Sequence, residues 1–141
     1  MQRPFTTIAW IAALLSTAIS ASAAAASGVV VIGHATVAGL DAATLERVYT
    51  GKAIEVNGVR VIAVNAVTGS DVRSRFLQAY LRQDDDRYAA YWVVRRYIGK
   101  GAPPLELPTS VEMIRYVNST PGAIGYISES DVKPGLNILL K

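Results

Sequence analysis

The chain contains no cysteine, which excludes disulfides, thiolate chemistry, cysteine-held metals and a lipid-anchored cysteine near the N-terminus. It has a single histidine, His34. One histidine without cysteine cannot assemble a zinc-type ligand set, and no acidic run has calcium-loop spacing. No Gly-x-Ser-x-Gly elbow occurs, and His34 would have to serve every base role, which argues against hydrolase chemistry. Charge of one sign is scarce as well. Fourteen Lys and Arg against eleven Asp and Glu leave a net charge of +3, too small an excess to argue for nucleic acid.

Acidic residues are missing altogether before Asp41. The chain starts with Met1-Gln2-Arg3 and continues through an apolar core from Ile8 to Ile19 to a small-residue Ala21-Ser22-Ala23 site. That order is expected of a secretory signal peptide over residues 1–23. Its apolar core is shorter than the roughly 20 residues a spanning helix needs, although the Ala-rich run to Ala26 leaves an uncleaved anchor open. Residues 24–141 then suit one domain.

Within that domain, Gly28 to Gly33 is a continuous β-branched run bounded by glycines, the pattern of a central strand buried on both faces. Leu40-Asp41 before Leu45, Val48 and Tyr49 predicts a capped helix ended by Gly51. Asn57-Gly58 marks a turn into a strand over Val59 to Val64. Val72, Phe76, Ala79 and Tyr80 recur at helical spacing after Ser70. Asp84 to Asp86 opens a third helix stopped by Gly99, and Thr109 with Glu112 forms a capping box for a fourth. Pro121-Gly122 turns the chain into a strand from Ala123 to Ile127, and Leu136 to Leu140 closes the series. Alternating strands and helices predict an α/β domain with a mostly parallel sheet flanked by helices.

The segment with a physical mechanism for ligand binding is Thr68 to Arg73, where a strand gives way to a helix. Unpaired N–H groups and the positive end of a helix attract anions there. Thr68 and Ser70 add hydroxyls, Gly69 permits the tight turn, and Arg73 offers a charged fork one turn in. Asp71 works against a fully charged anion. The residues leave two readings open, an oxyanion site or an ordinary capped helix with a solvated Arg73. His34 follows the first strand, expected near the same sheet edge, either as a ligand contact or as a turn cap. Tyr88, Tyr91, Trp92 and Tyr97 have the spacing of core residues more than of a stacking platform, and Arg95-Arg96 reads as a solvated face with one side chain lying over the core.

Several segments, taken in order, resemble phosphate ABC transporter substrate-binding proteins: Leu45-Glu46-Arg47-Val48-Tyr49-Thr50-Gly51-Lys52, Val61 to Asn65, Gly69-Ser70 with Phe76, and Pro121-Gly122-Ala123-Ile124-Gly125-Tyr126. The resemblance implies a single lobe of the type 2 periplasmic-binding-protein fold. It further implies a periplasmic, non-enzymatic module without cofactor that recognises a small oxyanion such as phosphate at the Gly69-Ser70 turn, where of the family's binding hydroxyls Ser70 carries over; Thr68 and Arg73 join it as candidates from the chemistry of the turn itself. Where the family's turn reads Gly-Ser-Gly-Thr, this chain has Gly69-Ser70-Asp71-Val72. The rival expectation is a domain that docks on a periplasmic or membrane protein, a sensor or transporter accessory, with no small ligand.

Overall fold

The structure is a computed structural model that describes residues 28–141, so the expected signal segment lies outside the described residues. Strand β1 spans Val29–Gly33 and is buried throughout. Its alternation sends Val29 and Val31 into one core and Val30 and Ile32 into another on the opposite face, as a strand with both faces covered must. Helix α1, Ala42–Tyr49, starts where the Asp41 carboxylate accepts from the Thr44 amide at 2.7 Å. This satisfies one of the otherwise unpaired first-turn donors.

The strand expected over Val59 to Val64 is divided. Strands β2, Glu55–Val56, and β3, Val59–Arg60, form a small hairpin through Asn57-Gly58, while β4, Ile62–Ala66, enters the main sheet. Where the chain changes partners at Val61, Gly122 packs on the Arg60 carbonyl: its φ is +80°, and a Cβ there would run into that oxygen. Helix α2, Asp71–Phe76, continues as a π-helical turn over Leu77–Leu81 and stops at Arg82, which adopts a left-handed φ of 53°. Helix α3, Asp85–Tyr97, is capped by Asp84, whose carboxylate accepts from the Arg87 amide at 2.8 Å. Strand β5, Leu105–Leu107, is short and unanticipated. Helix α4, Ser110–Ser119, begins with Thr109 Oγ1 accepting from the Glu112 amide at 3.2 Å. Strands β6, Ala123–Ser128, and β7, Asn137–Leu140, complete the chain.

The five-stranded sheet has the order β5-β4-β6-β1-β7. β4 pairs parallel with β5 and β6, and β1 pairs antiparallel with β6 and β7. Four strands therefore run one way and β1 alone runs the other, which gives the mostly parallel α/β sheet that the alternation predicted. Side chains of α1, α2 and α3 cover one face, and those of α4 cover the other. On the three-helix side the Phe76 ring stacks flat on Tyr126, with centroids 3.8 Å apart and planes within 3°. Removing such a fully buried ring costs roughly 3–5 kcal/mol.

Because β1 runs against its neighbours, His34 is not at the edge where β4 ends. Its amide donates to the Ala123 carbonyl, at the start of β6, which places it at the opposite end of the sheet. There its Nδ1 meets the Thr36 hydroxyl at 2.9 Å and accepts from the Thr36 amide at 3.1 Å. His34 is a turn cap, and the expected shared edge is corrected by the reversed strand. Among the described residues no helix is long and apolar enough to cross a membrane.

Candidate functional site

β4 delivers Asn65 and Ala66 to the carboxyl end of the parallel strands, and the chain turns through Thr68 and Gly69 into α2. Gly69 adopts a φ of +84° with open space where a side chain would stand. The turn brings three of the four expected anion donors onto the same partners. The Gly69 amide donates to Asp85 Oδ2 at 3.0 Å, and the Thr68 hydroxyl donates to Glu106 Oε1 at 2.6 Å. Arg73 joins both: Nε donates to Asp85 Oδ1 at 2.8 Å, while Nη1 donates to Glu106 Oε1 at 2.6 Å and to the Ala66 carbonyl at 3.1 Å.

The fourth donor turns elsewhere. Ser70 occupies the N-cap position with extended backbone, yet its hydroxyl caps nothing. Its Oγ is buried without a hydrogen-bond partner among the described residues. Ser70 lines a small cleft of about 80 Å³ shared with Val72, Thr109, Ser110, Ser128 and Asp131. Thr68 and Arg73 instead line a wider cleft of about 170 Å³, with Asn65, Tyr88, Trp92 and Glu106 among its walls.

Arg73 is 3 % exposed, so it is not the solvated residue of the capped-helix reading. A guanidinium this deeply buried is tolerable only when its charge is met by anions and hydrogen bonds, and here two carboxylates and a carbonyl meet it. Its guanidinium also lies over the Tyr88 ring, 5.5 Å from the centroid, a cation–π arrangement. Partial burial pushes the Glu106 carboxyl up, but the Thr68 hydrogen bond and the charge and hydrogen bond of Arg73 outweigh it and hold the group below its ordinary value. The donors of the turn are thus engaged by two carboxylates of the chain itself.

Behind it runs a buried phenol network. Tyr49 donates to the Val64 and Ile124 carbonyls at 2.8 and 3.1 Å, and Tyr88 donates to the Tyr49 carbonyl at 2.8 Å. Asn65 Nδ2 donates to the Tyr88 oxygen at 3.2 Å, and Tyr126 donates to Asn65 Oδ1 at 3.0 Å while accepting from the Ala66 amide. Burial raises the pKa of Tyr49, Tyr88 and Tyr126 above the usual phenol value, so all three stay neutral and serve as donors. This network fixes the backbone of Asn65 and Ala66 from which the turn departs.

Asp85, Glu106, Asn65 and Tyr126 were not anticipated as site residues. The acidic run at Asp84 to Asp86 signalled only a helix start, and Leu105-Glu106-Leu107 carried no signal beyond a short apolar alternation. Among the described residues no group of histidine and acidic side chains could hold a metal ion.

No family model matches this chain, and no curated protein matches it. Solved structures do. An ABC-type phosphate transport receptor from Vibrio cholerae superposes with a TM-score of 0.53 at 18% identity, covering 79% of this chain and 45% of its own. A chain described as a phosphate ABC transporter substrate-binding protein with bound phosphate, from Clostridium perfringens, gives 0.54 at 21%, covering 79% and 44%. This chain spans less than half the length of either. It resembles phosphate ABC transporter substrate-binding proteins in structure as in its sequence segments, and it has the fold of one α/β unit within them.

Proposed function

We propose that the chain is a periplasmic, non-enzymatic solute-binding-like module that recognises a small oxyanion of the phosphate type at the turn from Thr68 to Arg73. The observation that carries this reading is the convergence of the Thr68 hydroxyl, the Gly69 amide and the Arg73 guanidinium on carboxylate oxygens at 2.6 to 3.0 Å. Groups that hold a carboxylate in this way hold other oxyanions by the same charge-assisted hydrogen bonds. An external anion competes with Glu106, whose side chain is 40% exposed, so it can swing out where the more enclosed Asp85 cannot. Competition from within, and a cleft open on one side, keep affinity modest.

Calorimetric titration with inorganic phosphate at low salt tests the reading. Saturable binding that tightens in Glu106→Gln and vanishes in Arg73→Ala supports it; flat titrations of both the native protein and Glu106→Gln overturn it.

A second reading, docking on a periplasmic or membrane protein, is favoured by one observation. The outward side of α3 exposes Val93, Val94, Tyr97 and Ile98.

A further inference from the structure

Helix α3 is apolar on two opposite sides. Tyr88 and Trp92 are buried against the domain. At roughly 100° per residue, Val93, Val94, Tyr97 and Ile98 fall within about 140° of arc on the other side, and Ala90 lies inside the same stripe. All five are exposed, Tyr97 at 91%. A helix on a solvated surface carries one apolar face, and a second one marks a missing neighbour.

Charge along the stripe identifies that neighbour. At the N-terminal end Asp84 and Asp86 are exposed, whereas Asp85 is turned inward to Arg73. At the other end Arg96 and Lys100 are exposed, whereas Arg95 lies over the Trp92 and Tyr91 rings. Arg87 is exposed inside the same stripe near its Ile98 edge and offsets one of the two acids, so the outward charge still changes sign, from a net single negative charge at one end to two positive charges at the other. An anionic lipid surface would meet the acidic end unfavourably. A second copy of the same helix, laid antiparallel, meets acid with base at both ends.

We propose that α3 pairs with α3 of a second copy, antiparallel about a two-fold axis near Val93. This is an isologous contact, in which the same patch serves both subunits. In that register the partner's Tyr97 seats over Ala89 and Ala90, a large ring on two small residues, and Asp86 faces Lys100 across the axis. Ala89, Val93 and Arg96 also line the cleft beside Arg73. The partner's Tyr97 thus reaches the rim of that cleft and adds a wall that one copy lacks. The inference rests on α3 and stands apart from the anion reading.

Sedimentation velocity on the protein purified from the full-length chain tests it across micromolar to submillimolar concentrations. The expected result is a monomer–dimer equilibrium whose dissociation constant rises at least about tenfold in Tyr97→Asp. It should rise also in Lys100→Asp alone and recover when Asp86→Lys is added, with circular dichroism confirming that each variant is folded. Since the chain has no native cysteine, Val93→Cys should oxidise to a covalent dimer and Asp86→Cys should not. A protein that stays monomeric across the range, or a dimer indifferent to Tyr97→Asp, overturns the proposal.

Discussion

Arg73 on α2 and Glu106 on β5 meet at 2.6 Å across thirty-three positions of sequence, tying the helix that leaves β4 to the strand at the sheet's edge. With Asp85 at 2.8 Å on the other side, the buried guanidinium reinforces the ties that Thr68 and Gly69 already make to Glu106 and Asp85. Arg73→Ala leaves two carboxylates facing each other beside the cleft. Both retain some contact with water, so the loss should be about 2 kcal/mol, below the range for a wholly buried broken pair. Urea denaturation measures it, and Glu106→Gln, which keeps an acceptor for Thr68 and Arg73, should cost less than half as much.

The same pair makes stability acid-sensitive. Glu106 binds its proton less readily folded than unfolded, so between the two pKa values the unfolded chain holds more protons. Its contribution is full above the ordinary carboxyl value of 4.5 and is lost as pH falls through the lower folded value. Urea midpoints taken from pH 6 to pH 3 should fall in the native protein and fall less steeply in Glu106→Gln.

Gly69 and Gly122 share nearly the same φ, +84° and +80°, yet should respond differently to alanine. At Gly69 the added Cβ meets nothing within 4 Å, leaving only the cost of a left-handed backbone, about 1 kcal/mol. At Gly122 the Cβ collides with the Arg60 carbonyl, and the loss should be at least twice as large. Thermal melts of the two variants check the contrast.

Three phenols are sealed in the network behind the turn. Because burial raises their pKa above the usual phenol value, Tyr49, Tyr88 and Tyr126 should stay neutral in the folded protein at alkaline pH and ionise only as it unfolds. Absorbance near 295 nm, followed beside far-ultraviolet circular dichroism, checks whether the ionisation of these three coincides with loss of the fold. Tyr126→Phe, which strands the Ala66 amide, should cost roughly 1–3 kcal/mol.

Where a residue's role was local, its sequence surroundings revealed it. Asp41, Asp84 and Thr109 cap the helices they precede because capping needs only an oxygen three residues before a free amide. The β-branched run at β1 was legible because burial on both faces demands it. β5 was not, since Leu105-Glu106-Leu107 becomes a strand only by pairing with Val64 to Ala66. Nor was the fate of Arg73: a guanidinium near a turn looks the same in sequence whether it waits for an anion or is held by Asp85 and Glu106. The direction of β1, and with it the true place of His34, depended on pairings almost a hundred residues away.

Those pairings bear on the order of assembly. β1, the first described strand, pairs among the described strands with β6 and β7, Val29 lying opposite Ser128 and Val31 opposite Leu140. Closing so long a loop is entropically costly and is repaid only by non-local contacts, which slows folding. Until residues 123–128 have left the ribosome, β1 has neither of these strands to pair with. The N-terminal and C-terminal parts of the domain thus close their shared sheet together, neither ahead of the other.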